Sequence, residues 1–327
     1  MRAALYDTDG VHAGELRVVD VPAPEPATGE VRVRMHVAGV NPTDWKARLS
    51  GPAGRTWPQQ VPGQDGAGII DRVGDGVDPA RVGERVWLHL AAHGHAGGAC
   101  AESVCVPARK AARLPDTVSL DVGAGLGVPA LTAHRCLFAD GPLEGRTVLV
   151  TGGDGAVGHP AVQLARHAGA RVITTVSGDA RAAIAATAGP HVILNYRDAD
   201  HGEALRAAAP DGIDRVVDVA IDENLATYED LLNPASVVAV YARASDATRV
   251  DALVRPLMSN NVLLRFMLLY GVTDADLDAG VAHVGGLLET VGFVPMPLIR
   301  YPLEELEAAH AHVRAGAVGK VVIDIAP

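Results

Sequence analysis

The sequence predicts an α/β fold in two parts, a doubly wound parallel sheet of six strands and a second, mostly antiparallel β unit. Three observations carry this expectation. From Thr147 onward, apolar β-branched runs alternate with segments of helical spacing, the cadence of a parallel sheet covered on both faces. The first of those runs ends in Gly153-x-Gly155-x-x-Gly158, which opens a helix and is followed by a second strand. Upstream, stretches such as EVRVRMHVAGV and ERVWLHL alternate apolar and polar residues between Gly and Pro.

In chain order, Met1 to Tyr6 reads as a short strand, and alternating runs continue to about Asp121. Thr147 to Val150 is a strand, and apolar spacing at Val157, Val162, Leu164 and Ala165 predicts a helix after the glycine turn. The first glycine permits a tight turn, the second admits a pyrophosphate close to the backbone, and the third lets helix and strand pack closely. Unpaired N–H groups at the helix start hold phosphates, so Gly153, Gly155, Ala156, Val157 and Gly158 are candidate dinucleotide contacts. Strand and helix then alternate as Val172–Val176, Ala180–Ala188; His191–Leu194, His201–Ala209; Arg215–Val219, Glu223–Leu232. Val237–Tyr241 and Val262–Leu269 are the last two strands of the six. Asp274–Thr290 and Leu303–Ala315 read as helices and Lys320–Ile325 as a strand that rejoins the first unit. The expected division is residues 1–122 with 272–327, and 123–271.

Composition narrows the function classes. The 327 residues suit about two domains, and 48% hydrophobic with 20% charged residues is a globular balance. No apolar run approaches the roughly 20 residues of a membrane span, and Met1–Tyr6 lacks the long apolar core of a signal peptide. A net charge of −11 argues against nucleic-acid or anionic-membrane partners. The odd count of 3 cysteines suggests reduced thiols and a cytoplasmic location.

HVAGVNPTDWKARLSG, VPGQDGAGIIDRVGDGV, VGERVW, LGVPALTAHRCLF and the glycine unit occur in the order and spacing of the medium-chain dehydrogenase/reductase superfamily. Over the whole chain the sequence resembles its zinc-free quinone oxidoreductase branch, the zeta-crystallin-like proteins. The resemblance implies a GroES-like β domain, a Rossmann domain, NADPH as hydride donor, and a small-molecule quinone or electron-poor alkene as substrate. It also implies a homodimer formed through the outer strand Val262–Leu269, whose apolar edge would otherwise be open to pairing.

Zinc alcohol dehydrogenases resemble this chain but carry a Cys ligand where Asn41 stands and Gly-His-Glu where Gly63-Gln64-Asp65 stands. A catalytic zinc needs about three protein ligands plus an open position, and Asn41 and Gln64 do not supply them, so no metal is expected. Cys100, Cys105 and Cys136 are too few for the four-cysteine structural lobe. His89, His93, His95, Cys100 and Cys105 form a dense run, but their irregular spacing favours a strand and a loop that faces solvent or borders the cleft over a metal site. Without a Lewis acid, reduction of a quinone or an activated C=C is the chemistry that remains.

The second Rossmann strand ends TTVSG, placing neutral Ser177 where NAD-specific folds carry an acid. Arg181 matches the basic residue that relatives use near the 2′-phosphate of NADPH, Tyr196 a tyrosine packed on the same end, and Arg314 is a further cation for it. Asp179 would repel that phosphate if it pointed inward. Val219, Val240 and Tyr241, at later strand ends, complete the expected cofactor set. Pro160, early in the phosphate-binding helix, costs little where its missing N–H had no partner.

By the resemblance, Asn41 and Thr132 lie beside the nicotinamide and its ribose. Lys46 stands where many quinone reductases have tyrosine, and NPTDWK resembles the alkenal and enone oxidoreductases of the same branch. An ammonium there would hold the ribose or stabilise an enolate; the plain alternative is a surface lysine on a short helix. Arg48, Trp57 and Phe266 are candidate pocket residues, and Trp45 reads as packing. Two other functions stay open: an enoyl-thioester or polyketide-tailoring enoyl reductase, and a low-turnover NADPH-binding structural or RNA-binding crystallin-like protein.

Overall fold

A computed structural model describes residues 1–49, 57–243 and 248–325; Ser50 and Gly51 of the NPTDWKARLSG stretch lie outside them. The chain divides into two compact units, Met1–Val128 with Leu277–Pro327, and Pro129–Asp276. The first begins with β1 (Arg2–Asp7), β2 (Arg17–Asp20), β3 (Glu30–Gly39), helix α1 (Pro42–Leu49), β4 (Gln59–Gln60) and β5 (Asp65–Val73). β6 (Arg85–Leu88), β7 (Ser103–Pro107), β8 (Ala111–Arg113) and α2 (Leu120–Ala124) follow, and α3 (Gly127–Phe138) carries the chain into the second unit. Period-two patterning sets the register of β3: Val31, Val33 and Met35 are fully buried, while Arg32, Arg34 and His36 face outward. β2, β1 and β4 form a small antiparallel sheet.

The second unit holds β9 (Thr147–Thr151), α4 (Gly158–His167), β10 (Arg171–Val176), α5 (Asp179–Thr187), β11 (Val192–Asn195) and α6 (His201–Ala208). It continues with β12 (Ile213–Asp218), α7 (Ile221–Tyr228), β13 (Leu232–Val240), α8 (Val254–Ser259) and β14 (Leu263–Phe266). Every pairing in this sheet is parallel, in the order β11-β10-β9-β12-β13-β14. That is the dinucleotide-binding order, with its switch point between β9 and β12. The core strands are mostly apolar, as a sheet with both faces covered requires: Val148, Leu149, Val150, Val172, Ile173, Val216 and Val217 are all buried.

After α9 (Asp274–Thr290), β15 (Leu298–Pro302), α10 (Leu306–Arg314) and β16 (Lys320–Asp324) complete the first unit. β16 pairs antiparallel with the end of β3, giving the order β15-β16-β3-β5-β6-β8, with β7 on the outer half of β3. Among the described residues no helix is long and apolar enough to cross a membrane.

Some boundaries differ from the sequence expectation. The last strand of the parallel sheet ends at Phe266, and the chain turns through a short 3₁₀ segment at Leu269–Gly271; an apolar run does not reveal where a ladder stops. The helix expected from Glu223 begins at Ile221, where the Asp218 side chain accepts the Ala220 N–H, and gives way to 3₁₀ geometry at Glu229. Leu303–Glu305 is likewise a 3₁₀ turn ahead of α10.

The glycine turn is fixed by close approach. A Cβ on Gly153 would lie 2.0 Å from Thr174 Oγ1 on β10, and one on Gly158 would lie 2.0 Å from the Gly152 carbonyl oxygen. Gly158→Ala is expected to cost about 1–3 kcal/mol by forcing α4 off β9, read as a lower urea midpoint; an unchanged midpoint contradicts this packing.

Candidate active site and cofactor turn

In the second unit the expected cofactor residues gather at one edge. Gly153 to Gly158 follow β9, Ser177 and Arg181 follow β10, Tyr196 follows β11, Val219 follows β12, and Val240 and Tyr241 end β13. This is the carboxyl edge of a parallel sheet, where open α/β folds bind ligands. α4 starts at Gly158 behind Val157, with no side-chain cap; the His159 N–H is taken by the Gly155 carbonyl and Pro160 has none, which leaves the N–H groups of Ala156, Val157 and Gly158 for a ligand. Beside them, a Cβ on Gly155 would meet only the Gly152 oxygen, at 3.2 Å, which leaves room for a phosphate against the backbone. The turn therefore fits a dinucleotide pyrophosphate. Pro160 is the third residue of α4, within the turn where proline is tolerated.

A buried polar hub stiffens the switch point. Asp218 Oδ1 accepts from Thr151 Oγ1 at 3.2 Å, the Ala220 N–H at 2.7 Å and Asn224 at 2.9 Å, while Oδ2 accepts from Tyr228 at 2.6 Å. The Val219 N–H donates to Thr151 Oγ1 at 3.0 Å, and the Tyr241 N–H donates to the Asp218 carbonyl at 3.2 Å. Burial, with Asp218 alongside, holds the Tyr228 hydroxyl well above its ordinary value, so it donates and does not ionise. Sequence reading missed this hub, since Asp218 reads only as a polar residue ending an apolar strand.

It weighed Asp179 against the phosphate and did not see Asp154. Asp179 is exposed in the first turn of α5, whereas Asp154, inside the glycine turn and only 5% exposed, accepts a 2.5 Å hydrogen bond from Arg181 Nη1. The acid in GGDG was the available signal.

In the first unit, Asn41 is 2% exposed and is hydrogen-bonded at both side-chain ends and at its backbone N–H. Its Nδ2 donates to Asp65 Oδ2 at 2.6 Å, its Oδ1 accepts from Lys320 Nζ at 2.9 Å, and its backbone N–H donates to Asp44 Oδ2 at 2.7 Å. Lys320 Nζ also donates to the Val40 carbonyl at 3.1 Å, and Asp65 Oδ1 accepts the Val128 N–H at 2.7 Å. Burial raises Asp44 to about 7 and Asp65 to about 6, against the pull of their hydrogen bonds and of the Lys320 ammonium. The ammonium itself is pushed down by burial and held up by the two carboxylates. Sequence reading found Asn41 and the zinc-ligand positions but not Lys320, seen only as the start of a strand.

Lys46 is exposed on α1, its Nζ 5.6 Å from the centre of the Trp45 ring. Arg314, assigned from sequence to the 2′-phosphate, belongs to α10 of the first unit, where its guanidinium carbon lies 5.5 Å from the same ring. Trp45 is thus flanked by two cations, each in cation–π range. Thr132 is buried on α3. Arg48 is committed to Glu307 through two hydrogen bonds of 2.6 and 2.8 Å and to the Gly14 carbonyl, so it ties α1 to α10. Trp57 Nε1 donates to Gln60, and Phe266 is 65% exposed on β14.

The histidine-rich run does not converge. His89 is buried, its Nε2 3.3 Å from the Arg109 carbonyl, and burial lowers it to about 4. His95 bonds within its own turn to Gly97, and Cys100 and Cys105 are free, buried thiols. Among the described residues no three His, Cys, Asp or Glu side chains are grouped to hold a metal.

The Asp44 carboxyl gives a pH signature. It titrates near 3.8 when unfolded and about 7 when folded, so the folded state binds more protons across that window and stability falls as pH rises through it. Asp44→Asn, which keeps the acceptor for the Asn41 N–H, is expected to gain on the wild type in urea stability between about pH 4 and 7. A constant difference between the two across that range contradicts the shift.

Comparison with known proteins agrees with both halves of this picture. The Alcohol dehydrogenase GroES-like domain family matches residues 27–116 and the Zinc-binding dehydrogenase family matches residues 156–298. The quinone oxidoreductase of Rattus norvegicus is 29% identical over 93% of this chain and 92% of its own. A mycobacterial quinone oxidoreductase structure superposes with a TM-score of 0.82 at 31% identity, covering 99% of each chain. The quinone oxidoreductase of Thermus thermophilus, solved also in complex with NADPH, gives 0.79 at 27% identity, covering 99% of this chain and 100% of that one. The chain belongs to the medium-chain dehydrogenase/reductase superfamily, in its zeta-crystallin-like quinone oxidoreductase branch.

Proposed function

We propose that this protein is an NADPH-dependent, zinc-independent oxidoreductase acting on a quinone or an α,β-unsaturated carbonyl compound. The observation that carries the reading is the uncapped start of α4 behind Gly153–Gly158, at the switch point of a sheet with dinucleotide-binding order. NADPH when bound supplies the hydride. The N–H groups of Ala156, Val157 and Gly158 hold the pyrophosphate, Ser177, Arg181 and Tyr196 receive the 2′-phosphate end, and Val219, Val240 and Tyr241 border the nicotinamide half. Asn41 and Thr132 orient the nicotinamide and its ribose. Lys46 supplies an ammonium for negative charge developing on the acceptor oxygen once bound substrate shields it from water.

Zinc independence rests on the donor set. Both side-chain ends of Asn41 are already bonded to Asp65 and Lys320, and the Asp65 carboxylate, in Gly63-Gln64-Asp65, is in the field of the same ammonium. Within the same reading two copies pair through β14, an outer strand whose Leu263 and Phe266, with neighbouring Leu268, are 43%, 65% and 63% exposed. The buried free thiols suit a cytoplasmic location.

The test follows NADPH absorbance with a quinone, a simple enone and an enoyl thioester, with NADH as control. Turnover with the quinone or enone is expected, and Lys46→Ala should lower kcat/KM by about tenfold or more, with Lys46→Arg recovering part of it. Tight NADPH binding without turnover of any acceptor overturns the enzyme reading, and preference for the thioester favours an acyl-carrier substrate.

A further inference from the structure

Asp154 is a carboxylate in a place built for anions. It lies between Gly153 and Gly155 of the phosphate turn, is 5% exposed, and its Oδ2 accepts from Arg181 Nη1. The guanidinium it engages is partly exposed, with 31% of its side chain open to solvent. His159, near enough to feel the same carboxylate, is pushed by burial to about 4 and is neutral at physiological pH, so it adds no compensating charge. The cation meant to read a phosphate is therefore presented already paired.

NADPH and NADH differ only in the 2′-phosphate, which carries close to two negative charges at neutral pH. Against a lone arginine that phosphate meets a full positive charge; against an arginine–carboxylate pair it meets a net charge near zero and a fixed anion beside it. The 2′-hydroxyl of NADH is almost indifferent to the change. We propose that Asp154 is a specificity-determining residue, holding Arg181 in a neutral pair and thereby narrowing the preference for NADPH over NADH. The proposal rests on the reading of Arg181 as the residue that receives the 2′-phosphate. The turn then trades phosphate affinity for a preformed arginine whose carboxylate partner is not left buried and unpaired.

Equilibrium fluorescence titrations of NADPH and NADH with wild type, Asp154→Asn, Arg181→Gln and the double variant test it, with circular dichroism confirming each fold and Asp154→Ser as a second variant if D154N fails to fold. D154N is expected to tighten NADPH by roughly three- to tenfold while NADH moves by less than about twofold. R181Q should weaken NADPH, and the double variant should bind it no better than R181Q alone. Unchanged or weaker NADPH binding in D154N, with R181Q still weakening it, overturns the inference and leaves the cofactor reading standing. Tightening that persists in the double variant also overturns it, because the effect would not run through Arg181. NADPH binding indifferent to R181Q overturns both.

Discussion

The first unit depends on one buried ammonium. Lys320, from the last strand, reaches the Val40 carbonyl and Asn41 Oδ1 across 280 and 279 residues of sequence, and the entire parallel-sheet unit is inserted within that span. Around it Asn41, Asp44 and Asp65 join the end of β3, the start of α1 and the start of β5 to β16. Packing there is tight: a Cβ on Gly127 would fall 2.1 Å from Asp65 Oδ1. Breaking a buried charge set of this kind by removing one partner typically costs about 3–5 kcal/mol, because the others stay desolvated. The β unit is thus closed by an interaction that forms only when its two distant pieces meet.

The same cluster stands where the resemblance places metal ligands in the zinc-bearing branch. In the zinc-bearing branch of the superfamily the positions of Asn41 and Gln64 supply metal ligands; here they are amides, and the neighbouring Asp65 answers to a lysine. A cation remains at the site, but it is an ammonium held by hydrogen bonds, which cannot polarise an alcohol oxygen by coordination. A quinone, which takes hydride without a coordinated metal, suits that exchange. On the other unit the Asp218 hub and the glycine turn do complementary work, fixing the strand ends against which a dinucleotide is laid.

Local pattern carried much of this. Period-two alternation placed the residues of β3, the glycine spacing placed α4 on β9, and β-branched runs gave all six parallel strands. What stayed hidden was pairing between side chains far apart in sequence. No periodicity links Lys320 to Asn41, and nothing local says that Arg181 turns to Asp154 rather than away from Asp179. Arg314 was named only as a further cation from the C-terminal segment; its guanidinium lies over the Trp45 ring, as the Lys46 ammonium does. The end of β14 was lost for a simpler reason: Met267 and Leu268 are as apolar as the strand they follow, and only the hydrogen-bond ladder distinguishes them.

The central claim is that an amide–lysine–carboxylate cluster has replaced a metal and that hydride transfer proceeds without one. Exhaustive dialysis against a strong chelator, with zinc content measured on the same sample that is assayed for NADPH–quinone turnover, tests it most directly. Full turnover with zinc far below one ion per chain is the predicted result. Loss of turnover restored by zinc alone would contradict the account.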